Sequence, residues 1–265
     1  MRTTVRDVIA ALTAPAGKLD QTVDGLLFGD PDAAVTGIVT AFMPSRRVLE
    51  DARAAGANLV IAHEGPFFSH HAAFAETLED DPVFQAKRSF ILESGLMIYR
   101  LHDHIHRYHP DGIEEGLIEA MDWSGHVVRH LPTASILERD ETTVRAVAEE
   151  LKRRLGLSAV RIAGSPDAPC RRIGLLVGYR GGGSNAIPLF ERERLDLVIC
   201  GETPEWETPE YVRDAARQGM GRSLIVLGHA ESETWGMRLL ARRLAAAFPH
   251  LPVRSADEEP VFTWL

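Results

Sequence analysis

Two stretches of this 265-residue sequence repeat one pattern, and the repeat is the strongest constraint on the fold. GIVTAF, beginning at Gly37, has its counterpart in GLLVGY, beginning at Gly174, and ANLVIAHEGP aligns with LDLVICGETP. Asn58 lies 21 residues after Gly37, and Asp196 lies 22 residues after Gly174. A repeat with such even spacing indicates an internal duplication that gives two similar lobes.

Hydrophobic periodicity predicts that strands and helices alternate within each copy. Val35 to Phe42 is β-branched and apolar like a buried strand, and Ser45 to Gly56 reads as an amphipathic helix that ends at a glycine. The LVIA strand follows, so about 30 residues form a βαβ unit, which favours a parallel sheet. Further helices are predicted at Thr4 to Leu12, Asp81 to Gly95, Ile113 to Met121 and Glu141 to Gly156.

The predicted fold class is therefore α/β, with two similar α/β lobes and a metal site in the cleft between them. Structural signals are weak from Asp111 to Arg139, and we take Pro132 in this region as the marker of the junction. The first lobe is predicted to contain residues 1–125 and the second residues 126–265.

Composition excludes several classes of protein. A net charge of −9 without a dense Lys/Arg run makes nucleic acid a poor candidate partner. No apolar stretch approaches the roughly 20 residues that span a bilayer, and the first residues lack a signal-peptide pattern. We expect a cytoplasmic protein with no membrane partner, in which Cys170 and Cys200 are reduced.

Three apolar stretches each end in possible metal ligands. They are NLVIAHEGPFFSHH (Asn58 to His71), MIYRLHDHIHRYH (Met97 to His109) and SLIVLGHAESE (Ser223 to Glu233). A single histidine at a strand end is usually a structural residue, but parallel strands bring their carboxyl ends to one crevice. Imidazole together with carboxylate suits zinc, iron or manganese. The three endings therefore predict a transition-metal site.

Spacing ranks the individual candidates. Glu233 lies four residues after His229, so both fall on one face of a helix, and Glu233 is placed to bridge two ions. His63 and Glu64 point to opposite faces of an extended strand unless Gly65 allows a local turn. We expect the remaining histidines to be solvated or unclustered: His70, His71, His109, His126, His130 and His250.

Two further features allow more than one interpretation. GYRGGGSN, from Gly178 to Asn185, is either a weak anion-binding loop or a tight structural turn, and it does not match G-x-G-x-x-G. Glu202 occupies the position in the second copy that Glu64 has in the first. It is either a residue that supports a metal ligand or an acid at the start of a helix.

The motifs VDGLLFGD, GANLVIAHEGPFF, IYRLHDHIH, ICGE and GHAESE together resemble the NGG-interacting-factor-three-like family, whose members are often labelled GTP cyclohydrolase I type 2 homologues. The resemblance covers nearly the whole chain. It implies a two-lobed subunit, a toroidal homo-hexamer and two adjacent divalent ions. The family holds these ions with a His-His pair, a His-x-x-x-Asp segment and a His-x-x-x-Glu segment.

This chain departs from the family pattern at two ligand positions. Glu64 follows His63 where the family has a second histidine, and His106 stands where the family has aspartate. The exchanges compensate, because one position gains a carboxylate and the other an imidazole. The resemblance then implies two divalent ions (zinc, iron or manganese) and these metal ligands: His63, Glu64, His106, His229 and Glu233.

Two functions fit the sequence. The first is a metal-dependent hydrolase of an unknown small-molecule substrate, in which paired ions activate a shared water and His102 or His104 carries protons. The second is a metal-binding regulatory or metal-handling protein without turnover. The family resemblance adds the expectation of a homo-hexamer.

Overall fold

The computed structural model describes residues 2–70 and 72–265. In chain order its helices and strands are α1 (Val5–Thr13), β1 (Gly25–Phe28), β2 (Ile38–Ala41), α2 (Arg46–Ala54), β3 (Leu59–Ala62), α3 (Ala72–Glu76), α4 (Pro82–Ser94), β4 (Met97–Arg100), α5 (Asp103–His106), α6 (Gly112–Ala120), β5 (Val127–Leu131), β6 (Ala134–Thr143), α7 (Val144–Leu155), β7 (Arg161–Ala163), β8 (Pro169–Leu176), α8 (Gly183–Arg192), β9 (Leu197–Cys200), α9 (Thr208–Arg217), β10 (Ser223–Val226), α10 (His229–Ala247) and β11 (Val253–Ser255). Short 3₁₀ turns occupy Ser124–His126 and Gly178–Gly181. The predicted mixed α/β class is confirmed.

The chain forms two compact units. The first contains Met1–Gly112 and Met237–Glu259, and the second contains Ile113–Gly236 and Pro260–Leu265. This division differs from the predicted lobes of residues 1–125 and 126–265, because α6 after Gly112 belongs to the second unit and α10 from Met237 belongs to the first. The predicted boundary follows the sequence repeat, whereas the compact units follow packing.

The sheet of the first unit has the strand order β1-β4-β3-β2-β11. Strands β2, β3, β4 and β11 are parallel, and β1 pairs with β4 in the antiparallel direction. Every residue of β2, β3 and β4 is buried. Continuous apolar strands such as LVIA are typical of a parallel sheet that is covered on both faces.

The sheet of the second unit repeats this arrangement within a larger order, β5-β6-β8-β9-β10-β7. Strands β8, β9 and β10 are parallel, and β7 is an antiparallel edge strand beside β10, as β1 is beside β4. The orders β1-β4-β3-β2 and β7-β10-β9-β8 are therefore equivalent. The repeat in the sequence corresponds to a repeat in topology.

The hairpin of β5 and β6 was not predicted. Its strands pair in the antiparallel direction, and β6 also pairs with β8. Pro132, interpreted as the junction marker, lies in the hairpin turn between Leu131 and Ala134. Only the first four residues of β6 are buried, which explains why the stretch lacks a clear apolar pattern.

The predicted helices form where their capping residues place them. Ser45 caps α2, and Asp81 caps α4 by accepting hydrogen bonds from Val83 and Phe84. Gly95 ends α4 in the left-handed conformation, with φ of 67°. No helix within residues 2–70 and 72–265 has the length and apolar character needed to cross a bilayer.

Candidate metal-binding site

Three histidines of the first unit meet at the carboxyl ends of two neighbouring strands. His63 directly follows β3, His102 follows β4 after one residue, and His106 ends the short helix α5. One ring nitrogen from each lies within 4.8 Å of the others. The rings of His63 and His102 are stacked at 4.5 Å, and His106 meets both edge-on at 4.9 and 5.1 Å.

Each of these rings has an oxygen acceptor beside its Nδ1 atom. The contacts are His63 to the Leu101 carbonyl at 3.1 Å, His102 to Asp103 at 3.0 Å and His106 to Asp111 at 2.9 Å. An acceptor at Nδ1 favours the tautomer that carries its proton there, so Nε2 presents the lone pair. Metal-binding histidines in proteins are oriented in this way.

Asp24 holds the turn that carries two of these histidines. Its carboxylate accepts hydrogen bonds from the backbone N–H groups of His102, Asp103 and His104 at 2.7 to 2.9 Å. Asp103 reciprocates by accepting from the N–H of Val23 at 2.8 Å. Sequence reasoning did not single out Asp24, because nothing local to Asp24 shows that its partners lie about 80 residues away.

A second group shares His102 with the first. Ligand atoms of Glu64, His70 and His102 also lie within 4.8 Å of one another. His70 contacts the Glu64 carboxylate through Nε2, and its ring meets that of His102 at 4.6 Å. His70 was predicted to be solvated, but the structure places it in this group, since Gly65 to Ser69 turn back after β3.

Burial and neighbouring charges keep these groups in the protonation states that metals require. Burial, and then the nearby His63 and His106, lower the pKa of His102 to about 4, so its imidazole is neutral at ordinary pH. Burial opposes ionisation of Glu64, but the hydrogen bond from His70 and the surrounding histidines outweigh it and lower the pKa of Glu64. Neutral imidazole and ionised carboxylate are the metal-binding forms.

Lys87 supports the loop after Glu64. The buried Lys87 Nζ atom on α4 donates a hydrogen bond to the Pro66 carbonyl at 2.7 Å and lies 5.3 Å from the Phe68 ring. Burial lowers the pKa of this amine to about 8. The loop is therefore tied to the helix that follows it.

The second unit contains its own cluster at the end of β10. His229 starts α10, and its Nε2 atom lies 3.2 Å from the carboxylate of Glu233, one helical turn further on. The His229 Nδ1 atom lies 2.9 Å from Glu202, which follows β9. Glu202 therefore contacts the predicted ligand His229, which supports the first of its two interpretations.

The glycine-rich turn packs against this cluster. Gly178 has φ of 56°, and a Cβ atom there would lie 2.1 Å from Glu233 Oε1 and 3.1 Å from His229 Nε2. At the start of α8, the N–H of Gly183 donates to the Glu207 carboxylate at 2.6 Å. Glu207 therefore occupies the N–H group that a bound anion would use. This contact and the close packing at Gly178 support the interpretation of a structural turn.

The other sequence candidates lie apart from these groups. His104 is buried, with Nδ1 at 2.7 Å from Asp24, and it belongs to neither three-residue group described for the first unit. His109 is exposed, and His71 lies outside the described residues. His130 contacts Ser135, and His250 contacts Thr3.

The donor sets of the first unit fit a transition-metal ion. Three imidazoles, or one carboxylate with two imidazoles, are the ligand types that zinc, iron and manganese accept, whereas calcium and magnesium prefer oxygen alone. The fold and the site together define an α/β protein with histidine and carboxylate groups that can bind metal.

Comparison with known proteins identifies the family. The model of the Duf34/NIF3 (NGG1p interacting factor 3) family matches residues 2–260, and the chain belongs to this family. The resemblance derived from the motifs is confirmed.

Curated relatives share moderate identity with the chain over most of their length. A GTP cyclohydrolase 1 type 2 homolog of Deinococcus radiodurans is 26% identical over 239 residues, which are 86% of this chain and 82% of the relative. A homolog with the same name from Clostridium perfringens is 24% identical over 217 residues, which are 79% of this chain and 78% of the relative.

Solved structures agree with the fold over full length. The Staphylococcus aureus hypothetical protein SA1388 has a TM-score of 0.79 at 16% identity, with all of both chains covered. A Bacillus cereus protein related to NIF3 has a TM-score of 0.78 at 14% identity, again with full coverage of both. At these identities the likeness supports the fold alone.

Proposed function

We propose that this protein binds divalent transition-metal ions and is a metal-dependent hydrolase that acts on a small-molecule substrate. The observation that carries the proposal is the group of His63, His102 and His106, in which every Nδ1 atom faces an acceptor. Three imidazoles that leave coordination positions to water are typical of catalytic rather than structural zinc sites. A bound ion would lower the pKa of its water and stabilise negative charge on a reacting oxygen.

Glu64 is proposed as the proton acceptor for that water. Its carboxylate lies 3.9 Å from His102 Nε2, beside the three-imidazole group, and its lowered pKa keeps it ionised at neutral pH. His70 contacts the same carboxylate and can take up or return the proton. The three imidazoles would therefore hold the ion, while Glu64 and His70 move one proton.

The proposed roles differ from those expected from sequence, because Glu64 is assigned as the proton acceptor instead of a ligand. His102 is assigned as a ligand instead of a proton carrier, because its ring belongs to both groups. His104 is assigned a structural role through Asp24. His229 and Glu233 remain proposed as further ligands, and two ions of zinc, iron or manganese remain the proposed content.

The names of the relatives suggest which reactions to test first. The curated relatives are called GTP cyclohydrolase 1 type 2 homologs, a name that describes hydrolytic opening of a ring. Cyclic amides and nucleotides are therefore the first substrates to screen, with phosphoesters as the comparison class.

The test combines metal content with activity. The purified protein is stripped with a chelator, reloaded separately with manganese, iron or zinc, and screened against the three substrate classes.

His102→Ala should lose metal and activity together, whereas Glu64→Gln should retain at least one ion and lose turnover. His109→Ala, at an exposed histidine, is the matched control. Metal binding without turnover on any class would favour the metal-handling function.

A further inference from the structure

Glu258, close to the end of the chain, binds the backbone beside the candidate metal ligands. Its carboxylate accepts hydrogen bonds from the N–H groups of Phe42 at 2.8 Å and Met43 at 3.0 Å. These two N–H groups directly follow β2. Burial raises the pKa of Glu258, while its two backbone donors act in the opposite direction.

The same stretch of backbone orients His63 and Glu64. The Ala41 carbonyl accepts from the N–H of His63 at 3.0 Å, and the Phe42 carbonyl accepts from the N–H of Glu64 at 2.7 Å. The parallel pairing of β2 and β3 thus continues beyond both strands as far as His63 and Glu64. Phe42 is held by Glu258 at its N–H and by Glu64 at its carbonyl.

The strand β11 delivers Glu258 to this place. It pairs in parallel with β2 from Val253 to Ser255, and the N–H of Ala256 continues the pairing with Thr40 at 2.7 Å. Where the backbone ladder ends, the Glu258 carboxylate replaces the carbonyl acceptors that another strand would offer. A carboxylate suits this position, because its two oxygens accept from two consecutive N–H groups, whereas an amide has one acceptor oxygen.

We infer that Glu258 is a positioning residue for the proposed metal ligand His63 and the proposed proton acceptor Glu64, which it orients through the backbone that follows β2. The inference rests on the proposed function only in that it takes His63 as a metal ligand and Glu64 as the proton acceptor beside it. A group that orients a ligand typically changes metal affinity by about 10- to 100-fold when it is removed.

The first experiment measures metal affinity in three variants. Zinc and manganese dissociation constants are determined by competition with a chelator for Glu258→Ala, Glu258→Gln and Glu259→Ala. Glu259 is the matched control, because it is adjacent, has the same charge and forms its ion pair with Arg47 at an exposed site on α2. We expect about tenfold weaker binding for Glu258→Ala, a smaller loss for Glu258→Gln and no change for Glu259→Ala. An affinity of Glu258→Ala within twofold of the unchanged protein would overturn the inference.

The second experiment does not depend on metal. Hydrogen exchange of the backbone amides is followed in the metal-stripped protein and in the same variants. Loss of positioning should speed exchange at His63 and Glu64 while Leu59–Ala62 stay protected, whereas general destabilisation would speed exchange throughout β3. Unchanged exchange at both amides in Glu258→Ala would contradict the inference. If the unchanged protein binds no metal, the proposed function fails and this measurement alone decides the role of Glu258.

Discussion

Asp24 and His104 contact each other twice: Asp24 Oδ2 accepts from the backbone N–H of His104 at 2.9 Å and lies 2.7 Å from its Nδ1 atom. The same buried carboxylate also accepts hydrogen bonds from the backbone N–H groups of His102 and Asp103. These N–H groups begin the turn that carries the candidate ligands His102 and His106. The turn therefore depends on one residue that is distant in sequence.

Replacement of Asp24 should destabilise both the fold and the site. Asp24→Ala leaves three partly buried N–H groups without their acceptor, and we expect a loss of roughly 2–4 kcal/mol in the free energy of unfolding. Denaturant titration measures this loss, and the exposed Asp20→Ala is the control. A change below about 0.5 kcal/mol would contradict the role given to Asp24.

His70 is expected to contribute to metal affinity although it lies in a loop. His70→Ala removes the side chain that contacts the Glu64 carboxylate beside the three imidazoles, so divalent-ion affinity should fall by about 10-fold or more. Isothermal titration with zinc measures the change, and His109→Ala should leave affinity unaltered. Equal affinity in the two variants would indicate that His70 is a solvated residue, as the sequence predicts.

The titration of Lys87 should make the free energy of unfolding depend on pH in the alkaline range. Its pKa is about 8 in the folded protein and has the ordinary value of 10.5 when the chain unfolds, so the charged amine is disfavoured in the folded state. This penalty is fully present below pH 8 and is relieved as the pH rises towards 10.5.

The Lys87→Met variant isolates the effect. The variant lacks the titrating group, so it does not gain the stability that the unchanged protein gains as Lys87 loses its proton. The free energy of unfolding of the variant minus that of the unchanged protein should therefore fall by about 1–3 kcal/mol between pH 7 and pH 10. The lost hydrogen bond to Pro66 contributes an offset that does not depend on pH. Parallel stability profiles of the two proteins would show that the Lys87 amine titrates normally.

Gly178 is expected to tolerate no side chain. In Gly178→Ala the new methyl group would overlap Glu233 Oε1 and the backbone would stay at a φ of 56°, so a loss of about 1–3 kcal/mol should accompany displaced His229 and Glu233 side chains. Gly125→Ala is the control, because a Cβ atom there meets nothing within 4 Å. Denaturant unfolding and metal content are measured for both, and equal results would contradict the close packing.

The homo-hexamer remains a prediction from the family resemblance. Sedimentation equilibrium at micromolar concentration should give six times the chain mass of 29.2 kDa. A mass that stays at one chain across the accessible concentrations would refute it.

The repeat, the strands and the capped helices could be predicted because they rest on local patterns. Ser45, Asp81 and Gly95 act within a few residues of their own positions. The hairpin of β5 and β6 escaped prediction because most of its positions are partly exposed, so apolar residues do not alternate clearly with polar ones.

The site was predictable in its chemistry but only partly in its partners. The endings of parallel strands predicted that His63 and His106 would lie near one another, and the structure places one ring nitrogen of each within 4.8 Å of the other. Asp24, Lys87 and Glu258 contact the site region through residues 21 to 216 positions away, and no pattern in a single sequence marks such pairs. His70 was missed because the turn after Glu64 depends on loop geometry.

The pairing of β11 with β2 has a consequence for the order in which the protein can form. During synthesis β2 emerges about 200 residues before β11, the strand that pairs with it. Until Val253–Ser255 have been synthesised, the buried residues of β2 therefore lie beside an unpaired sheet edge. The sheet of the first unit is therefore completed after every strand of the second sheet has been made, and a fragment that stops at Gly112 should aggregate instead of folding as an independent half.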